Sequence, residues 1–292
     1  MAAIAYLGPQ GTFTDAALQR LAAADLIPPR GAAVEPIPVE TAPAALQAVR
    51  AGDADYACVP IESSLEGSIT PTLDGLAVGA PLQIFAETTL QVAFSVAVAP
   101  GREAAAVATI AAHPVAAAQV RRWLAAELPD ARILPAHSNA AAAAQVADGQ
   151  ADAAVSTALA AARYGLATLA EGVIDEATAR TRFVLAGPPG PPPPRTGADR
   201  TSVVLRLVNR PGALVAALAE FADRGIDLSR IESRPTRTEL GTYRFFLDCA
   251  GHLDDTAVAA ALQALQTGAN RCAELRYLGS WPVGEPGDGP RS

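Results

Sequence analysis

The stretch D-Y-A-C-V-P-I-E-S-S-L-E-G-S-I-T-P, residues 55–71, decides the fold of the larger part of the chain. Its apolar beginning, up to Val59, is typical of a short buried strand. Thr70 and Pro71 then indicate the start of a helix, with threonine at the N-cap and proline at the first helical position. Ligands of open α/β sheets bind at such strand-to-helix turns, and this turn carries a carboxylate, hydroxyls and a glycine. Residues 60–69 therefore predict a site for a small, oxygen-rich molecule.

Length, charge and composition narrow the class of protein. The chain has 292 residues, half of them hydrophobic, and a formal net charge of −8. These values predict two domains with sizeable cores and no partnership with nucleic acid. No apolar run approaches the roughly 18 residues of a membrane span, so we expect no membrane segment. All 22 basic residues are arginine, which excludes Schiff-base catalysis, pyridoxal phosphate attachment and a Walker lysine.

Cysteine and histidine usage argues against metal and disulfide chemistry. Cys58, Cys249 and Cys272 are far apart and odd in number, so neither a disulfide framework nor a zinc site is expected. No metal-ligand spacing and no Ser-His-Asp set can be assembled convincingly. We therefore expect a protein of the reducing cytoplasm without a bound metal.

A proline-rich segment, G-P-P-G-P-P-P-P-R-T-G at 187–197, favours an extended spacer over a helix or a central strand. It predicts a domain at residues 1–186, a linker at 187–200, a smaller domain at 201–280 and a flexible tail at 281–292.

Strands and helices alternate before this linker. Strands are predicted at residues 3–7, 34–39 and 54–59, a β-rich run at 82–98 with a break near Glu87, and helices at 41–51 and 114–128. Such βα units predict a mostly parallel sheet with helices on both faces. A two-lobed body whose chain returns to its first lobe would bring the early turns next to residues 181–183. After the linker, the order βαββαβ predicts a small ferredoxin-like unit.

Three further segments carry candidate ligand-binding groups. G-P-Q-G-T at 8–12 lies between a strand and a helix, where glycines allow close backbone approach and N–H groups attract a carboxylate. Arg182 can hold a carboxylate through two parallel hydrogen bonds. His113, at the start of the helix that carries Gln119, is a candidate donor or acid. Each segment alone also has a structural reading, as a tight turn, a surface arginine or a helix cap.

Together, these motifs resemble those of the prephenate dehydratase family. The resemblance rests on G-P-Q-G-T-F at 8–13, P-I-E-S-S at 60–64 with Gly67, H-P at 113–114 with Gln119, Y-G-L at 164–166 and T-R-F at 181–183. It implies a bilobal α/β fold like that of type II periplasmic binding proteins, with the active site in the cleft between the lobes. The chain departs from the family pattern at Ser63, Ala112, Val115 and Ala179. Ser63 replaces an asparagine and offers one donor fewer, so we expect it to affect turnover rate more than reaction class.

The resemblance implies that prephenate loses its ring carboxylate as CO2 and its ring hydroxyl as water, giving phenylpyruvate. Aromatisation supplies the driving force, so no cofactor is expected. The implied catalytic residues are Thr181, Glu62, Ser63 and Gln119. The implied substrate-binding residues are Gly11, Thr12, Ser64, Gly67, His113, Arg182 and Phe183.

Within these sets, we expect Thr181 to donate or relay the proton, with Glu62 and then His113 as the alternatives. Arg182 is expected to hold the pyruvyl carboxylate, because an ion pair to the departing carboxylate would stabilise the ground state more than the transition state.

The segment after the linker resembles the ACT domain that binds phenylalanine in this family. The implied effector-binding residues are Asn209, Gly212, Ala213, Leu214, Val215, Glu232, Ser233, Arg234 and Pro235. Gly212 opens a helix whose N–H groups can receive an amino acid's carboxylate. ACT domains of this kind pair across a subunit interface, so the resemblance implies a homodimer or homotetramer. Two alternatives stay open: an enzyme that acts on arogenate, and an amino-acid-responsive binding protein with impaired catalysis, which Ser63 would favour.

Overall fold

A computed structural model of the chain describes residues 1–237, 241–268 and 272–284. Before the proline-rich segment, the strands are β1 (Ala2–Leu7), β2 (Val34–Val39), β3 (Tyr56–Ser63), β4 (Gly67–Ser68), β5 (Gln83–Gln91), β6 (Phe94–Val98), β7 (Thr109–Ala112), β8 (Arg132–Pro135), β9 (Ala153–Ser156), β10 (Ala167–Val173) and β11 (Arg180–Gly187). The helices of this region are α1 (Phe13–Ala23), α2 (Ala42–Ala51), α3 (Thr70–Ala77), α4 (Pro114–Gln119), α5 (Arg121–Glu127), α6 (Asn139–Ala147) and α7 (Ala158–Arg163). The C-terminal unit consists of β12 (Asp199–Arg206), α8 (Ala213–Ala222), β13 (Leu228–Pro235), β14 (Tyr243–Ala250), α9 (Thr256–Thr267) and β15 (Glu274–Pro282).

The region before the linker forms two lobes, as the sequence predicts. The first lobe has a sheet of order β2-β1-β3-β11-β5, with β4 paired to β3, and the second has a sheet of order β10-β6-β9-β7-β8. β11 comes last in this region and returns to the first lobe between β3 and β5. The expected mostly parallel sheet is wrong, because β11 runs antiparallel to both neighbours and β6 runs antiparallel to β9 and β10. β6 follows the crossing to the second lobe and β11 follows the crossing back. Each therefore enters its sheet from the end opposite to that at which its neighbours enter.

Local signals set several helix ends. Thr41 caps α2 through its side chain, and Gly52 ends that helix with a left-handed φ of 82°, a conformation that glycine adopts without steric cost. The N-cap of α3 is Ile69 rather than Thr70, which moves Pro71 to the second helical position. Both residues are still within the first turn, where a missing N–H costs no intrahelical hydrogen bond.

Four other predicted boundaries are wrong. The break expected near Glu87 lies between β5 and β6, so Glu87 is inside a strand and buried. The helix expected at 114–128 is interrupted at Val120, which separates α4 from α5. The predicted start of the tail at residue 281 is too early, because β15 reaches Pro282 and Trp281 is buried. The linker expected at 187–200 is also too long, since Gly187 belongs to β11 and β12 begins at Asp199. The rest of the expected tail, residues 285–292, lies outside the described residues.

The C-terminal unit is the predicted βαββαβ fold, and it packs on the first lobe. Its antiparallel sheet has the order β13-β14-β12-β15. One face of this sheet forms a core with α8 and α9. The other face contributes Val204, Phe246, Leu278 and Trp281 to a core shared with α2, α3 and the first-lobe sheet. The two-lobed region and the C-terminal unit therefore share one continuous apolar core. Among the described residues, no helix has the length and apolar character to cross a membrane.

Candidate active site

A bulge in β3 directs Ser63 and Thr181 into the cleft between the lobes. Thr181 pairs with Ser63 and Arg182 with Glu62, and the register then shifts before the next residue of β11. The shift makes Ile61 an extra residue in β3, and an extra residue exchanges the faces of all side chains beyond it. As a result, Ser63 and Thr181 share the cleft face of the sheet. Glu62 and Arg182 share the opposite face.

Ser63 and Thr181 line a chamber of about 200 Å³ between the lobes. Its walls are mostly apolar and include Phe13, Phe94 and Val115. Its polar residues are Ser63, Glu66, His113, Gln119, Asn139 and Thr181. A wider outer cavity of about 690 Å³, the vestibule, has lining residues in common with the chamber. The shared residues are Leu65, Glu66, Val115 and Gln119.

Ser63 and His113 are oriented by their own backbone turns. The Ser63 hydroxyl oxygen accepts the N–H groups of residues 65 and 66 at 3.3 and 3.4 Å, so its own O–H remains for donation. His113 caps α4, because its Nδ1 accepts the N–H of Val115 at 3.3 Å. In the neutral imidazole, this bond leaves the ring proton on Nε2. Both side chains can thus donate a hydrogen bond from a fixed position.

Two carboxamides complete the polar lining from the second lobe. The buried side-chain oxygens of Gln119 and Asn139 have no hydrogen-bond partner among the described residues. A buried amide oxygen without a partner is costly, and such atoms in a cavity commonly await a ligand or water. The sequence predicted Gln119 but missed Asn139. A signal was present, because Asn139 directly follows Ser138, the cap of α6, at another strand-to-helix turn.

Glu62 and Arg182 do not line the chamber in which the sequence predicted them to act. Arg182 Nη2 lies 3.0 Å from Glu62 Oε2 and 2.8 Å from Asp248 Oδ2 of β14, and Nη1 lies 3.1 Å from Glu87 Oε2. The Arg182 side chain is only 9% exposed, and neither residue lines the chamber. The guanidinium that should hold a substrate carboxylate instead connects the first lobe to the C-terminal sheet.

This connection belongs to a largely buried cluster of three carboxylates and three guanidinium groups, which we call the interdomain cluster. Its members are Glu62, Glu87, Arg182, Arg200, Arg230 and Asp248. Burial raises the pKa of Asp248, but the guanidinium groups of Arg230 and Arg182 outweigh it and hold that pKa well below its usual range. Burial likewise lowers the pKa of Arg182, and Asp248, Glu87 and Glu62 raise it above its ordinary value. Asp248 and Arg182 therefore stay ionised and paired at neutral pH.

The glycine-rich turn also has a different role from the one expected. The Gly11 N–H donates to the Asp15 carboxylate at 2.7 Å, and its carbonyl accepts the hydroxyl of Thr157 in the second lobe. The Thr12 hydroxyl accepts from the Asp15 N–H and donates to the carbonyl of residue 7. Gly11 and Thr12 thus use their polar groups internally and do not line the chamber, whereas the adjacent Phe13 does.

Three more expected substrate ligands lie outside the chamber. Ser64 accepts the N–H of Arg180 at 2.9 Å and so joins the β3–β4 hairpin to β11. Gly67 begins β4 with a φ of 78°. Phe183 is buried in the core between the first-lobe sheet and α1. These residues shape the site without lining it.

The expected effector residues fall into two separate places on the C-terminal unit. Asn209, Ala213 and Leu214 line a small cavity, and Gly212 is the N-cap of α8 with a φ of 79°. Val215 is 71% exposed and lies outside that lining. The second group, Glu232, Ser233, Arg234 and Pro235, lies on β13 and does not line the cavity either.

Arg234 provides a second connection between the domains. Its Nε and Nη2 each lie 3.1 Å from a carboxylate oxygen of Asp74 in α3. Arg237 Nη2 contacts the same carboxylate at 2.7 Å. Because α3 follows the β3–β4 hairpin directly, β13 is joined to the element next to the chamber.

Sequence comparison decides the family. The prephenate dehydratase family profile matches residues 4–189, and the ACT domain profile matches residues 201–266. The chain belongs to the prephenate dehydratase family. Among curated prephenate dehydratases, that of Mycobacterium bovis is 70% identical over 285 residues, which cover 97% of this chain and 88% of the relative.

Solved structures extend the comparison. A prephenate dehydratase of Arthrobacter aurescens in complex with L-Phe matches with a TM-score of 0.86 and 43% identity, covering 96% of this chain and 90% of that one. GqqA, described as a novel type of quorum quenching acylase, matches with a TM-score of 0.82 and 30% identity, covering 97% and 98%. The predicted bilobal body with a ferredoxin-like ACT domain is thereby confirmed.

Proposed function

We propose that the chain converts prephenate to phenylpyruvate, with loss of CO2 and water, and that phenylalanine regulates it through the ACT domain. The observation that carries this proposal is the chamber between the lobes. It presents the Thr181 hydroxyl from one lobe opposite the Gln119 and Asn139 carboxamides from the other. The 70% identity with a curated prephenate dehydratase supports the same reaction.

In the proposed mechanism, the Thr181 hydroxyl relays a proton to the ring hydroxyl, which leaves as water. The electron pair of the breaking bond to the ring carboxylate moves into the ring, and CO2 departs. No arginine among the described residues lines the chamber. A departing carboxylate held there is therefore not stabilised by an ion pair before it leaves. The threonine regains its proton from solvent water, and His113, with its ring proton on Nε2, can donate a second hydrogen bond in the chamber.

Thr181 is favoured over Glu62 as the proton relay because Glu62 pairs with Arg182 on the other face of the sheet. Ser63, Gln119 and Asn139 are proposed to orient the ring and its substituents. Positioning of this kind supplies a large share of a barrier reduction when no covalent intermediate is needed.

We propose that the effector site is completed by a second copy of the chain. The cavity that contains Asn209 and the β13 residues from Glu232 to Pro235 are separate within one chain. β13 is also an edge strand of the sheet as far as it is described, and several large apolar side chains of the ACT domain are exposed. These side chains are Val208, Val215, Ile231 and Tyr243. Exposed apolar groups beside a free strand edge favour self-association, so a homodimer or homotetramer is expected.

The proposed assignment extends to organisation and location. The catalytic domain is proposed to end near Gly187, the last residue of β11, and the ACT domain to begin near Asp199, the first residue of β12. The three cysteines are free and buried, as suits a reducing cytoplasm.

The decisive experiment is an assay of phenylpyruvate formation by the purified full chain, with and without phenylalanine, run beside Ser63→Asn. Arogenate is tested in parallel, since a keto or amino group on the side chain is the only difference between the substrates. Phenylpyruvate formed from prephenate and suppressed or altered by phenylalanine supports the proposal. Turnover of arogenate alone would establish the first alternative. No turnover of either would establish the binding protein, and an acylase assay would then test the activity described for GqqA.

A further inference from the structure

We propose that Arg121 holds the side-chain carboxylate of the substrate at the mouth of the cleft. This inference rests on the proposed function, because it concerns how the same cleft binds a dicarboxylate. The expected ligand for that carboxylate, Arg182, faces the ACT domain and is committed to the interdomain cluster. A dianionic substrate still requires a cation, and the chamber contributes none from its arginine-free lining.

The vestibule supplies that cation. Two arginines line it, Arg121 and Arg122. Arg122 is already engaged, because its guanidinium contacts the Asp175 backbone carbonyl and lies 3.2 Å from Glu176 Oε1. The backbone N–H of Arg122 also donates to the Asp175 carboxylate at 3.0 Å. Arg121 is exposed and pairs with no carboxylate of the described residues.

The shape of the substrate matches this arrangement. The ring hydroxyl and the two carboxylate-bearing substituents are at opposite ends of the cyclohexadiene ring. When the hydroxyl lies against Thr181, the other end points towards the vestibule, which the chamber meets at Gln119. The ring carboxylate is bonded directly to the ring, whereas the pyruvyl carboxylate is three bonds from it. The carboxylate that leaves therefore remains in the apolar chamber, and the one that stays reaches Arg121.

An arginine beside the retained carboxylate favours catalysis more than one beside the departing carboxylate would. A guanidinium beside the departing carboxylate would stabilise it before CO2 is lost. A guanidinium on the retained carboxylate binds substrate and transition state alike, and so lowers KM without opposing the reaction. Its planar fork also fixes the orientation of the side chain through two parallel hydrogen bonds.

The test compares the parent chain, Arg121→Gln, Arg121→Lys and the matched control Arg132→Gln, an exposed arginine on β8 outside the linings of the chamber and the vestibule. For Arg121→Gln, KM for prephenate should rise about 10-fold with kcat nearly unchanged, as expected for loss of one charged hydrogen-bonding partner. Arg121→Lys should give a smaller rise, because it keeps the charge and loses the fork. Inhibition by phenylpyruvate, which retains only the side-chain carboxylate, should weaken by the same factor.

The outcomes separate this inference from the proposed function. If the parent chain forms no phenylpyruvate, the proposed function fails. If the parent is active but KM and phenylpyruvate inhibition of Arg121→Gln match those of Arg132→Gln, Arg121 does not hold the substrate. Arg122→Gln is measured as a further variant. If KM rises for Arg122→Gln but not for Arg121→Gln, the inference is also overturned. Phenylalanine affinity, measured on the same proteins, should be the same in all of them, and a parallel loss there would indicate a general structural defect instead of a substrate contact.

Discussion

Replacing Arg182 tests the main difference between the sequence prediction and the structure. Arg182→Met keeps most of the side-chain volume but leaves three carboxylates, of which Glu87 and Asp248 are buried, facing two guanidinium groups in the interdomain cluster. Breaking a buried ion pair costs about 3–5 kcal/mol. Two partners remain in the variant, because Asp248 still pairs with Arg230 at 3.0 Å and Glu87 with Arg200 at 2.8 Å. We therefore expect a loss of stability at the lower end of that range, about 3 kcal/mol. For a chain of this length, that loss corresponds to a fall in Tm of roughly 5 °C.

Thermal unfolding at one fixed protein concentration measures this change, because association would otherwise alter the apparent stability. The matched control is Arg195→Met, which removes an exposed pair with Asp255 at 2.8 Å and should cost under about 1 kcal/mol. KM for prephenate is measured on both variants. A variant at Arg182 that unfolds at the parent temperature but binds prephenate poorly would refute the reasoning, since it would mean that the guanidinium reaches the substrate.

The remaining predictions concern both faces of the first-lobe sheet. Thr181→Val should lower kcat about 100- to 10,000-fold with little change in KM, and an unaltered kcat would remove the hydroxyl from the mechanism. Asn139→Ala should reduce kcat/KM about 2- to 10-fold, the value of one neutral hydrogen bond, whereas equal kinetics would show that the substrate does not use this amide. Asp74→Asn should leave basal kcat intact and weaken the response to phenylalanine, which dose–response curves would measure; an unchanged curve would exclude this link. Burial raises the pKa of Asp248, but the paired guanidinium groups lower it by more, so the pKa in the folded protein lies below its ordinary value. The stabilisation of the fold by the Asp248 carboxylate is therefore full above about pH 4 and is lost as the pH falls below that. Acid unfolding curves of the parent and Asp248→Asn should therefore converge at low pH, and a constant separation would contradict this.

Local sequence signals predicted the elements well where neighbouring residues alone determine them. Thr41 and Gly52 delimit α2 because a side-chain cap and a left-handed glycine act within one turn. In the segment predicted as βαββαβ, Tyr243, Phe245 and Leu247 alternate with their neighbours as is typical of a strand, and the structure has β14 there. These local signals do not determine the direction of a strand in its sheet. Whether β11 runs parallel or antiparallel depends on which lobe the chain leaves, and that depends on contacts between residues more than a hundred positions apart.

The candidate site shows the same limit at the level of single side chains. A run such as P-I-E-S-S gives residue types and spacing, but the face that each residue occupies depends on register. The bulge at Ile61 places Ser63 in the chamber and removes Glu62 from it, although the two are adjacent. Asn139 was missed for the opposite reason, since it is brought to the chamber by the approach of the second lobe and belongs to none of the recognised motifs.

The alternation of faces along β11 also gives a physical basis for regulation. Thr181 lines the chamber, and the next residue in the strand bonds to Asp248 of the ACT sheet at 2.8 Å. Two residues joined by a planar peptide move together, so a shift of the ACT sheet that moves the guanidinium also moves the hydroxyl. A misplacement of about 1 Å can cost about 100-fold in rate. Phenylalanine therefore needs to produce only a small rearrangement of the ACT domain, because the same short segment contacts that domain and bears the hydroxyl that we propose as the proton relay.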